Sequence, residues 1–180
     1  MSYNGEETYK PDTGDGLWRR SLYTWIKRQA PPPAFLVFDG TTREKCTIER
    51  TVTNTPLQSL ILLNDPVFVE AARALAERAL TEQVADSRAE AVTAITETTT
   101  AGQVLDRLFQ CVLSRNADDE ERQILLGLLQ RQRVRFRNRK YEALDLLSVG
   151  ASPVRVEGEE IEVAAWAVVA QTVLNLDEAI

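Results

Sequence analysis

Between Thr53 and Pro66 the order of polar and apolar residues specifies two helices back to back. Thr55 stands as an N-cap with Pro56 at the first helical position, and Gln58, three residues on, can return its amide to the cap backbone. Leu57, Leu60, Ile61 and Leu63 follow with little polar relief, which predicts a short helix buried on most sides. Asn64 ends it, and Asp65-Pro66 repeats the cap-then-proline signal. The second helix, from Pro66 to about Leu80, aligns Phe68, Ala71, Ala72, Leu75, Ala76 and Ala79 on one stripe. Glu70, Arg73, Glu77 and Arg78 fall outside that stripe.

Upstream, residues 1–16 mix tyrosine, proline, glycine and acids, and predict an extended or looped lead-in. Trp18, Leu22, Trp25 and Ile26 fall at helical spacing between Leu17 and Gln29, with Arg19, Arg20, Lys27 and Arg28 around them. Pro31 to Pro33 must stop that helix, because proline lacks the amide donor and restricts the residue before it. Ala34 to Phe38 is a short apolar run, a strand or a buried extended segment, ahead of an Asp39-Gly40 turn. From Cys46 to Val52 the alternation is β-like, so a small two-stranded ribbon is expected there.

Downstream, a weak helix runs to about Ile95 and gives way to a Thr-rich loop ending at Gly102. Val104, Leu105, Leu108, Phe109, Val112 and Leu113 then form a strong amphipathic helix that ends near Ser114 to Asn116. Asp118 caps the next helix, with Glu121 completing a capping box and Ile124, Leu125, Leu128, Leu129, Gln132 and Phe136 on its face. Acids gather at its start and basic residues between Arg131 and Lys140, an order that complements the helix dipole. Leu144 to Val149 closes with Gly150 and Pro153. The segment from Ile161 to about Leu176 is apolar nearly all round with Trp166 at its middle, which predicts the central buried helix.

These elements define a mainly α protein, an irregular helical bundle with a looped or short β-ribbon N-terminal segment. The expected organisation is a single domain over 1–180, made of a lead-in with one helix (1–54) and a helical core (55–180) carrying a flexible insertion near 95–102. At 180 residues, 44% hydrophobic and 27% charged, the chain has the size and balance of one globular domain. Its net charge of −6 argues against a nucleic-acid binder as a whole, and no apolar run reaches membrane-spanning length.

The candidate chemistry is sparse. The absence of histidine removes the commonest general base, metal ligand and partner of a Ser or Cys nucleophile. Cys46 and Cys111 form no CxxC pair, so no metal or cofactor is expected; Cys111 lies on an apolar stripe, and a buried thiol is the expectation for Cys46. What remains is a polar set in the N-terminal third: Arg19, Arg20, Asp39, Arg43, Arg50 and Asn54. Carboxylates beside arginines can serve a polysaccharide-processing site when two acids are suitably separated, with Asp65 and Glu44 as further acids. Against this, Asp65 is accounted for as a cap and Asp39-Gly40 as a turn.

Several motifs together resemble one known family. They are Trp18 to Arg28, Pro31 to Pro33 with Phe38-Asp39, Arg43 to Cys46, and Thr53 to Gln58 leading into Leu63 to Pro66. The tail agrees as well, in Phe109 to Asn116, Asp118 to Glu121, Ala164 to Trp166 and Leu174 to Glu178. The chain resembles the C-terminal domain of unknown function of large secreted planctomycete proteins, whose N-terminal regions often carry a c-type-cytochrome-like domain. Trp25-Ile26 and Gly40 depart from the family's usual residues. The resemblance implies a periplasmic or extracellular place as part of a longer protein and carries no catalytic residue across.

Two functions follow as expectations. One is a non-catalytic helical module that packs on upstream domains of an exported multidomain protein, with Trp18, Trp25, Phe35 and Phe38 as docking residues. The other is a carboxylate–arginine site acting in polysaccharide processing or binding. Neither calls for nucleic acid or membrane insertion.

Overall fold

The computed structural model describes residues 12–24, 26, 30–41, 46–49, 53–89, 97–154 and 159–179. Among them the regular structure is helical, with no strand: α1 (Pro33–Val37), α2 (Pro56–Asn64), α3 (Pro66–Ala89), α4 (Glu97–Leu113), α5 (Asp119–Asn138), α6 (Lys140–Leu147) and α7 (Glu160–Leu174). The chain forms two compact units, Met1–Ile61 and Leu62–Ile180, so the division falls within α2.

The first unit departs most from expectation. The stretch from Leu17 to Gln29 is not one helix among its described residues; it holds two 3-10 turns, Gly14–Trp18 and Ser21–Tyr23. Arg19 and Arg20 between them are extended, and Leu22 is 75% exposed. An isolated short helix is marginal in water without an apolar face to bury, and here Trp18 and Leu22 of that face are exposed. Trp25, Lys27 and Arg28 lie outside the described residues. Ala34 to Val37 belongs to a one-turn helix rather than a strand, because Pro33 supplies a preorganised first position. The expected ribbon is absent among the described residues: Ile48-Glu49 is a bend, and the Ile48 side chain is fully exposed.

The double cap is present as the sequence specifies. Gln58 Oε1 accepts from the Thr55 N–H at 2.8 Å and the Gln58 N–H reaches Thr55 Oγ1 at 3.4 Å. Asp65 Oδ1 accepts from the Val67 N–H at 2.9 Å and opens α3. The burial expected for α2 is not: Leu57, Leu60 and Leu63 are exposed, and Leu62 is its buried leucine.

The second unit is built around α7. Its Val163, Ala164, Ala165, Trp166, Ala167, Val169, Ala170 and Val173 are all buried, and it packs against α3, α4, α5 and α6. The alanines let those helices approach closely, while Trp166, the largest fully buried side chain, donates its indole N–H to Glu162 at 2.9 Å. Gln171 Nε2 donates to the Leu63 carbonyl at 2.8 Å, serving one of the open acceptors at the end of α2.

Helix α4 begins at Glu97, so the residues expected as a loop up to Gly102 are its first turns. It ends where predicted, with Ser114 in the left-handed region at φ 58°. Asp118 and Glu121 then close a full capping box, at 2.7 and 2.9 Å. Arg115 binds the same Glu121 at 2.7 and 2.8 Å, reaches Glu178 at 2.9 Å and lies over the Phe109 ring. Helix α5 stops at Asn138 rather than running through the basic segment. Arg139 (φ −135°, ψ 64°) breaks the spiral, and Glu142 of α6 pairs with both Arg135 and Arg139. Arg133 likewise pairs with Glu162, so much of the basic run is neutralised by neighbouring acids.

Candidate functional site

Two polar clusters stand out, one in each unit. The first gathers at the C-terminal end of α1 and the start of α2. Asp39 adopts φ 54°, a conformation that Asp tolerates better than most non-glycine residues. Its Oδ2 accepts from the Thr53 N–H at 3.0 Å and from the Thr53 hydroxyl at 2.6 Å. Gln58 Nε2 donates to the Val37 carbonyl at 2.9 Å and to Thr53 Oγ1 at 3.3 Å. The Thr53 hydroxyl therefore accepts from Gln58 and donates to Asp39, a directional chain from buried amide to carboxylate. Gly40 closes the turn with its N–H 2.6 Å from the Phe35 carbonyl. A β-carbon there would sit 2.6 Å from that same oxygen.

Of the other sequence candidates, Arg19 and Arg20 are exposed on the 3-10 segment, and Asn54 is exposed beside Thr53. Arg43 and Arg50 lie outside the described residues, as does Glu44. Among the described residues, the bonds to the Asp39 carboxylate come from the threonine Thr53. As placed, Asp39 holds a turn, and among the described residues the groups bonded to it are the two donors of Thr53.

The second cluster escaped the sequence reading. Glu70, Arg73 and Glu77, expected outside the apolar stripe of α3, are 2%, 1% and 3% exposed. Charges are buried only when paired and hydrogen-bonded, and these are. Glu70 accepts from the Ala151 N–H at 2.9 Å, the Ser152 N–H at 2.6 Å and the Ser152 hydroxyl. Arg73 donates to the Ser152 carbonyl at 2.8 Å, to Ser152 Oγ at 3.0 Å and to Glu77 at 3.2 Å. Burial works to raise the Glu70 pKa. The Ser152 hydroxyl, the two backbone N–H groups and the Arg73 charge together outweigh it and hold the carboxyl below its ordinary value. The three charges are spaced i, i+3 and i+7 on one helical face, which is legible in sequence. The turn that satisfies them lies some eighty residues later, which is not.

Both thiols are exposed, contrary to expectation: Cys111 lies off the buried face of α4, and Cys46 stands in irregular chain. Among the described residues no three His, Cys, Asp or Glu side chains gather to hold a metal ion, and no helix is long and apolar enough to cross a membrane.

Among the described residues the chain is mainly helical, and its two clearest polar clusters hold turns to helices. The chain belongs to the PSD1 family, described as a protein of unknown function (DUF1553), whose family model matches residues 1–129. The family resemblance read from the motifs between Trp18 and Pro66 is borne out by that match. No curated protein and no solved structure matches the chain.

Proposed function

We propose that this chain is a non-catalytic helical module that packs on upstream domains of an exported multidomain protein. The observation carrying this reading is the exposure of large apolar side chains in the first unit: Trp18, Leu22, Tyr23, Leu36 and Leu57. Exposed apolar side chains that form a contiguous patch rimmed by polar residues mark a protein–protein surface. The use of Asp39, Gln58 and Glu70 as backbone acceptors and donors supports the same view, since each is already engaged within the fold. Export rests on the family resemblance.

The test is the behaviour of the 180-residue chain alone in sedimentation and dye binding. It is expected to self-associate with concentration and bind an apolar dye, and Leu22→Ser combined with Leu57→Ser is expected to reduce both. A monodisperse monomer that binds no dye overturns the reading. The polysaccharide alternative has less support, because the Asp39 carboxylate is occupied by Thr53. Saturable binding of a polysaccharide, abolished by Asp39→Asn, is the result that would restore it.

A further inference from the structure

We propose that the Gly150–Ser152 turn and Arg73 form an oxyanion-binding nest, which the fold fills with its own carboxylate, Glu70. Successive backbone N–H groups pointing into one concavity are a recurrent way of binding anions, and a left-handed residue is part of how the chain makes that curve. Here Gly150 takes φ 104°, and the N–H groups of Ala151 and Ser152 converge on the two oxygens of Glu70 at 2.9 and 2.6 Å. The Ser152 hydroxyl is a third donor, and it accepts from Arg73 Nη2 at 3.0 Å, which polarises it toward the carboxylate. Arg73 supplies the positive charge, its Nη2 lying 3.7 Å from Glu70.

The carboxylate also lies against bare backbone. A β-carbon on Gly150 would overlap the Glu70 carboxyl group, so the approach is open only to glycine. The charged groups the structure gives around Glu70 are Arg73 on its own helix and, behind Arg73 at 3.2 Å, Glu77. No other charged partner of Glu70 is present among the described residues. Removing Glu70 therefore leaves Arg73 balanced by Glu77, with three donors unfilled and the Arg73 Nε, already without a hydrogen bond, beside them. Nothing in this donor set depends on the tether that attaches the carboxylate to α3. The ligand class is a small planar carboxylate, and the atoms deleted by Glu70→Ala are those of an acetate ion.

Thermal unfolding of the full chain in sodium acetate, sodium formate and sodium chloride at matched ionic strength tests this. Glu70→Ala is expected to unfold at a lower temperature than the native chain and to recover part of the loss, saturably, in acetate or formate but not in chloride. The native chain should respond equally to all three salts. Hydrogen exchange at the Ala151 and Ser152 amides should accelerate in Glu70→Ala and slow again with acetate. Adding Ser152→Ala should weaken the rescue. An equal response of native and Glu70→Ala chains to acetate, or amides that stay unprotected in it, overturns the proposal. Should Glu70→Ala not fold in chloride, its refolding yield from urea with and without acetate decides the matter, and no gain in yield refutes the nest.

Discussion

The two compact units use polar side chains for the same purpose in different surroundings. In Met1–Ile61, exposed bonds from Thr53 to Asp39 hold a half-buried turn, and large apolar side chains stand in solvent. In Leu62–Ile180, the bonds from Ser152 to Glu70 hold a turn against a helix whose Glu70, Arg73 and Glu77 are buried. Water can replace a lost partner in the first setting and not in the second. Similar hydrogen bonds should therefore differ several-fold in what their loss costs.

The largest effect should come from Arg73→Ala, which strands two buried carboxylates and is expected to destabilise the second unit by about 3–5 kcal/mol in urea unfolding. Gly150→Ala should approach it, combining a left-handed φ with overlap on Glu70. Gln58→Ala removes a buried amide and leaves the Val37 carbonyl and the Thr55 N–H without it. About 1–3 kcal/mol is expected, read as faster hydrogen exchange over residues 53–59 with little change near α7. Asp39→Ala should cost less, about 0.5–1.5 kcal/mol, and should also be confined to the first unit. If Asp39→Ala proved as costly as Arg73→Ala, the contrast between the units would fail.

The smallest effect concerns acid. The two hydrogen bonds from Arg115, aided by the Asp118 N–H, lower the Glu121 pKa from 4.5 to about 2. The folded chain thus holds this proton less tightly than the unfolded one. The contribution of Glu121 is complete above pH 4.5 and is lost as pH falls from there toward 2. Glu121→Gln should flatten stability against pH in that window and leave it unchanged in slope near neutrality.

Signals confined to four or five neighbouring residues were legible. Thr55 with Gln58, Asp65 before Pro66, and Asp118 with Glu121 each cap the helix their spacing implies, because the donor and acceptor belong to one turn of chain. The largely apolar composition of α7 was equally plain and located the core. What failed depended on distant partners. Periodicity between Leu17 and Gln29 implied a helix, but a stripe forms one only where something covers it. Arg139 breaks the α5 spiral while Glu142 draws Arg135 and Arg139 together across the junction, a geometry no propensity encodes. For the candidate set, the sequence singled out Asp39 yet gave no hint that Thr53 holds it. It showed Glu70, Arg73 and Glu77 on one face and not the turn they enclose.

The burial of Trp166 also gives the protein an optical reporter. Its indole is 1% exposed and bonded to Glu162, whereas Trp18 is half in water. Once Trp25, the third tryptophan of the chain, is replaced by Phe, emission from the two should separate by colour and by access to acrylamide, so that loosening around α7 can be followed with no label attached.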